Sequence, residues 1–295
     1  MRRGSPFCLI LLGACVAPQA PAPAPPATPV AVGRPVQPVI TDIRLEGRLE
    51  QGGLAFGSVP SGYTVRLGDQ AVPVAPDGRF VLGFDRDAPA TLILEARTAD
   101  GRTFAKPLTI VAREWPIERV NIPRRPGATS EEFERLRAPE VASINAARAV
   151  VSQTEGWRQT FAWPARGRIS GVFGSQRIYR GGEPGAYHSG VDVAGGAGTP
   201  VTAPADGVVV LAAADKPFTL EGHLLIIDHG MGLNSAFLHL SRIHVREGDR
   251  VRKGQLVGAI GSSGRSTGPH LHWAVKWRAA RVDPVSLVGT ASTQN

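Results

Sequence analysis

Between Val39 and Ala112 short apolar runs alternate with polar turns. Ile43-Arg44-Leu45-Glu46-Gly47, Tyr63-Thr64-Val65-Arg66-Leu67, Pro76-Asp77-Gly78-Arg79-Phe80-Val81-Leu82, Ala90 to Ala96 and Leu108 to Val111 read as strands, because in extended chain successive side chains point to opposite faces. Strands at this spacing, broken by Asp-Gly turns, predict a small Ig-like β-sandwich over residues 39–113. Nothing catalytic lies in it. Over residues 114–156 the pattern becomes helical: Thr129 and Glu132 fit a capping box, and the Ala-rich segment after Pro139 continues as helix to about Glu155. Val141, Ile144, Ala147 and Val151 follow helical spacing, so this short helical linker should pack one apolar face. Residues 157–290 return to Gly-rich β pattern and predict a compact antiparallel β-sandwich, barrel-like, with loops around a groove; residues 291–295 form a tail. The expected fold class is mainly β.

The N-terminus adds a compartment. Arg2 and Arg3 precede an apolar run from Phe7 to Val16, too short to span a bilayer but suited to a signal-peptide core. Residues 1–15 end in Leu12-Gly13-Ala14-Cys15, which resembles a bacterial lipobox, so lipid on Cys15 would tie the protein to a membrane. The rival reading is an ordinary secretory signal cleaved in the following Ala/Pro-rich stretch. Either way the expected location is exported, in the periplasm or cell envelope. Residues 16–38 are nearly uncharged and rich in Ala and Pro, a stiff tether that cannot bury a core. With Cys8 in the signal and Cys15 lipidated, no disulfide is left.

Charge changes the picture only slightly. The net charge is +8, and from Trp157 onward 15 Lys and Arg stand against 9 Asp and Glu. A basic surface favours a polyanionic partner. Nucleic acid is not expected as that partner, because the chain carries an export signal and no helix-turn-helix, finger or aromatic-basic groove.

The chemistry concentrates in two fragments, His188-Ser189-Gly190-Val191-Asp192 and His270-Leu271-His272. In extended chain, side chains two and four apart share a face, so each fragment can aim both its polar side chains into one cavity. Two imidazoles and a carboxylate with an open fourth position are the ligand set of a catalytic zinc, whereas a structural zinc is more often closed by thiolates. No H-E-x-x-H helix is present.

These fragments sit in a longer series: Phe161-Ala162-Trp163-Pro164, Phe173-Gly174-Ser175-Gln176-Arg177, Gly198-Thr199-Pro200-Val201, Ala203-Pro204-Ala205-Asp206-Gly207-Val208-Val209, Ile227-Asp228-His229-Gly230, Leu238-His239-Leu240 and Ser266-Thr267-Gly268-Pro269-His270-Leu271-His272. From about Phe161 to Val288 the chain resembles the LytM/lysostaphin-type zinc metalloendopeptidases, which cut the peptide part of peptidoglycan. The resemblance implies a LytM-type fold, one Zn2+ held by His188, Asp192 and His272, and His239 and His270 as catalytic histidines. Phe237 departs from the family's Tyr-x-His-Leu pattern. The resemblance further implies a peptidoglycan substrate, with a D-Ala to diaminopimelate link or a glycine bridge as the bond cut. Its alternative is a non-catalytic LytM-type activator of cell-wall amidases, whose partners would be cell-wall enzymes. Silent members typically lack ligands, and here all are present.

Other residues carry blander expectations. His229 reads as a structural turn histidine, His223 and His244 as surface residues, and Trp273 as core. Arg177 suits either a substrate carboxylate or a structural salt bridge. Ser189 has no base to activate it. Glu247 to Val257 resembles the hairpin of lipoyl carrier domains, but no lysine stands where one would be modified.

Overall fold

The computed structural model describes residues 43–123 and 131–288. The expected signal peptide with Cys15, the expected tether, the expected Thr129 cap and the expected tail lie outside the described residues. Among the described residues no helix is long and apolar enough to cross a membrane.

The N-terminal part holds seven strands: β1 (Arg44–Gly47), β2 (Leu54–Ser58), β3 (Thr64–Leu67), β4 (Gln70–Val72), β5 (Arg79–Gly83), β6 (Thr91–Arg97) and β7 (Thr103–Thr109). They form two antiparallel sheets, β1-β2-β5 and β4-β3-β6-β7, so the chain crosses between sheets after β2, β4 and β5, as in an Ig-like sandwich. Leu54, Phe80, Leu82, Leu94 and Leu108 fill the space between them. β2 and β4 are additional to the strands expected. Gly57 hides β2 in the sequence, yet the packing requires it: a Cβ there would lie 2.1 Å from the Phe80 ring. β7 starts earlier than expected and admits Pro107 because it is an edge strand.

The linker is more structured than a spacer. β8 (Ile117–Arg119) precedes α1 (Glu131–Ala149), a single helix with Pro139 inside it that stops six residues before the expected Glu155. Only Ile144 and Ala147 of the expected stripe are buried; Val141 and Val151 are exposed. The helix therefore packs through one narrow line.

Eleven strands follow: β9 (Arg168–Gly171), β10 (Gln176–Ile178), β11 (Val191–Ala194), β12 (Pro200–Thr202), β13 (Gly207–Ala212), β14 (His223–Asp228), β15 (Leu233–Ile243), β16 (Arg250–Val251), β17 (Leu256–Ile260), β18 (His270–Trp277) and β19 (Ala280–Val282). All but β10, which pairs in parallel with β8, join one antiparallel sheet whose main path is β16-β13-β14-β15-β18-β11-β9. β15 changes partner along its length. Leu233 to Leu238 pair with β18, whereas Leu240 to Ile243 pair with β17. His239 sits at that switch, in the left-handed region with φ 63°. The carrier-like hairpin is not formed: β16 pairs with β13, and β17 with β12 and β15.

One apolar core runs through both halves, from Phe80, Leu82 and Phe84 to Trp277 and Val282. The contact is close enough that a Cβ on Gly83 would stand 2.7 Å from that of Trp277.

Candidate active site and metal centre

Strand register builds the first half of the site. β11 pairs with β18 so that Asp192 faces His272 directly, and directly opposed residues put their side chains together on one face. His188 enters from the loop before β11. Its backbone N–H donates to Ser175 O at 2.8 Å, its carbonyl accepts from Gly174 N–H at 2.9 Å, and its ring Nδ1–H donates to Val172 O at 3.1 Å. That leaves Nε2 with a lone pair pointing inward.

The inward atoms form a tight triangle. His188 Nε2 lies 3.1 Å from Asp192 Oδ1 and 3.0 Å from His272 Nδ1, and the last two are 2.9 Å apart. Metal bonds of about 2.0–2.2 Å in tetrahedral array set ligand atoms about 3.3–3.6 Å apart, so the triangle is within a few tenths of an ångström of a metal-binding base. A lone pair aimed at a carboxylate oxygen and a second imidazole nitrogen needs a proton or a metal ion between them. The three side chains can therefore hold a metal ion. Two glycines allow the closeness: a Cβ on Gly171 would lie 2.3 Å from Asp192 Oδ2, and one on Gly190 2.9 Å from His272 Nε2. Burial opposes ionisation of Asp192, but His188 and His272 hold it well below the usual carboxylate range.

His239 and His270 complete the cluster. Their rings are 4.9 Å apart, and that of His239 is 6.3 Å from His272. Each is anchored by a backbone carbonyl at Nδ1, Ser263 O at 2.9 Å for His239 and Gly268 O at 2.8 Å for His270. Nε2 of His270 stands 3.8 Å from Asp192 Oδ1. The partner switch in β15 explains the His239 backbone, whose N–H leaves the sheet and donates to Glu221 O at 2.8 Å. Burial lowers the pKa of His239, and the neighbouring His270 and His272 add to that, so it favours the neutral, proton-accepting form. A cleft of about 1560 Å³ opens beside His188 and Asp192, lined also by Ile117, Glu118, Arg177 and Tyr187.

All five expected site residues thus meet in one place. Arg177 does not join them; it pairs with Glu118 at 2.7 Å, both exposed. Trp273 is fully buried, with Phe237 packed opposite it on β15, so the ring at 237 serves the core. His229 is buried between Asp206 O and Ser235 Oγ, in the structural role expected. His223 is not a surface residue. It is half-buried, because its ring Nδ1 reaches Ala213 O at 3.0 Å. The carbonyls of Val172, Ser263 and Gly268, which set the orientation of three histidines, have no signature in the sequence, since every residue has a carbonyl.

Residues 186–284 match Peptidase family M23. The chain is 38% identical over 125 residues to peptidoglycan DD-endopeptidase ShyA of Vibrio cholerae, covering 42% of this chain and 28% of that protein. It is 39% identical over 120 residues to DD-carboxypeptidase/endopeptidase Mpg of Neisseria meningitidis, covering 41% and 27%. The chain therefore spans less than a third of the length of these curated relatives. A Pseudomonas aeruginosa crystal structure assigned to peptidase M23 aligns with TM-score 0.63 at 28% identity, over 82% of this chain and 96% of that one. The two histidines and the aspartate of the candidate metal triangle and both further histidines lie inside the matched segment, so the chain carries a peptidase M23 domain over residues 186–284.

Proposed function

We propose that the protein is a zinc-dependent endopeptidase that hydrolyses peptide bonds in peptidoglycan cross-links or stem peptides for cell-wall remodelling. The observation that carries this reading is the His188–Asp192–His272 triangle with two more histidines at its open side. Bound there, zinc would supply an acidified water of pKa near ~7 and Lewis acidity toward a carbonyl oxygen. The anionic Asp192, Nε2 of His188 and Nδ1 of His272 would hold the ion. His239, neutral and with Nδ1 tied to Ser263 O, presents Nε2 to accept a proton from the attacking water or to face the developing oxyanion. His270, tied in the same way to Gly268 O, takes the complementary task, and the departing amine needs a proton that one of these rings can return.

The names of the two curated relatives support a D,D-bond, such as the D-Ala to diaminopimelate link, as the target. The N-terminal pattern supports export and a lipid anchor on Cys15; Cys15→Ser should then leave the membrane fraction. The test of function is digestion of purified sacculi with and without chelator, followed by identification of the muropeptides. Chelator-sensitive release of cleaved cross-links is the expected result. Intact sacculi together with stimulation of a cell-wall amidase would favour the activator reading instead.

A further inference from the structure

Arg86 belongs to the N-terminal sandwich, on the turn after β5, yet its side chain ends inside the C-terminal domain. It is only 7% exposed. Its guanidinium lies between two aromatic rings, 5.4 Å from the centroid of Trp115 and 4.8 Å from that of Tyr187. Nε–H donates to Gly174 O at 3.0 Å, the second terminal nitrogen donates to Gln176 Oε1 at 3.2 Å, and the first pairs with Asp87 at 2.6 Å. The neighbouring Asp85 accepts from Tyr187 O–H at 3.0 Å and from Arg281 N–H at 2.9 Å.

Two of the residues this turn grips, Gly174 and Tyr187, adjoin His188 directly. Gly174 N–H donates to the His188 carbonyl, Ser175 O accepts from the His188 N–H, Val172 O fixes the His188 ring, and Tyr187 is the preceding residue. Trp115 presses on the same loop so closely that a Cβ at Gly174 would fall 2.0 Å from it. A buried guanidinium with several donors used in fixed directions is a rigid brace. His188 is also the one ligand delivered by a loop; Asp192 and His272 are held by strand pairing and need no such support.

We infer that Arg86 is a positioning residue for the metal ligand His188, so that the N-terminal sandwich is a working part of the active site rather than a detachable module. It acts through the backbone of Val172 to Gln176 and touches neither metal nor substrate. The inference rests on the metal-site reading, and the zinc content of the wild type separates the two: a zinc-free wild type overturns both, whereas zinc-loaded wild type isolates the role of Arg86.

The experiment is zinc affinity by competition with a chromophoric chelator, at one pH, on the full chain, with the thermal midpoint of the apo protein recorded alongside. Arg86→Met should weaken zinc binding by about 10–100-fold, the usual size for loss of a group that orients a ligand. Arg86→Lys keeps the buried charge and most of the volume but cannot reach Gly174 O and Gln176 Oε1 together, so it decides the case if the methionine variant fails to fold; about 10-fold weakening is expected. The control is Arg158→Ala, which breaks another ion pair between the sandwich and the C-terminal domain, to Asp77 at 3.0 Å, and should leave zinc affinity unchanged. Wild-type zinc affinity in folded Arg86→Lys, or an equal loss in Arg158→Ala, would overturn the proposal.

Discussion

The C-terminal domain buries histidines in two regions and uses the ring in opposite ways. Around His229 both nitrogens are spent inside the protein, Nδ1 at 2.8 Å from Asp206 O and Nε2 at 2.9 Å from Ser235 Oγ, with the Phe161 ring edge-on at 4.7 Å. In the candidate site, His188, His239 and His270 each spend Nδ1 on a carbonyl, and Nε2 of His188 and His270 lies 3.1 and 3.8 Å from Asp192 Oδ1. Burial alone therefore does not mark a functional histidine. What marks it is one nitrogen fixed and the other aimed, which is how a protein selects the tautomer of a ligand or a proton carrier.

The comparison breaks most sharply at the metal. His188→Ala should leave the fold largely intact, because the core is built elsewhere, yet abolish zinc binding and peptidase activity together; metal analysis of the purified variant checks it. The next effect separates the proposed catalytic rings from the proposed ligands. His239→Ala and His270→Ala should each retain zinc but lose at least ~10²-fold in turnover, measured as muropeptide release. Wild-type turnover in either would remove that ring from the mechanism.

The structural histidine should respond in the reverse sense. His229→Leu is expected to keep zinc and turnover per folded molecule while losing about 1–3 kcal/mol of stability, since Asp206 O and Ser235 Oγ lose their partner; a urea titration reads it. The same residue gives a pH signature. Burial pushes its pKa down to about 4, below the ordinary 6.5, so between those values the unfolded chain binds more protons than the folded one. Its contribution to stability is thus present above pH ~6.5 and is lost as pH falls toward 4. The wild type should show that acid slope, and His229→Leu should lack one proton's share of it, about 1.4 kcal/mol per pH unit in the window. An unchanged slope would place the titration elsewhere.

How much of this was legible in the chain follows from what each interaction needs. The HxxxD and HxH spacings point His188, Asp192, His270 and His272 at one cavity, and the family resemblance selected the triangle among them and added His239; the shared-face argument does not hold for His188, which enters from the loop before β11. The alternation in β3 likewise shows one buried face, whereas β5 is buried on both. β2 was hidden by Gly57, whose value lies in the Phe80 ring it admits rather than in strand propensity. β8 was hidden because a three-residue strand has no period to detect and depends on a partner, β10, nearly sixty residues away. The helix boundary at Ala149 and the exposure of Val151 reflect tertiary packing that helical spacing alone does not determine. Arg86 looked like any charged turn residue; only the assembled rings of Trp115 and Tyr187 show that it is a buried brace.

On the proposed function, the His188–Asp192–His272 triangle holds one catalytic metal ion. Titrating zinc back into chelator-stripped wild-type protein, with muropeptide release followed at each addition, tests it most directly. Activity should rise from the stripped baseline and break at one zinc per chain. Full activity in the stripped protein, or no recovery at one equivalent while the fold is intact, would contradict it.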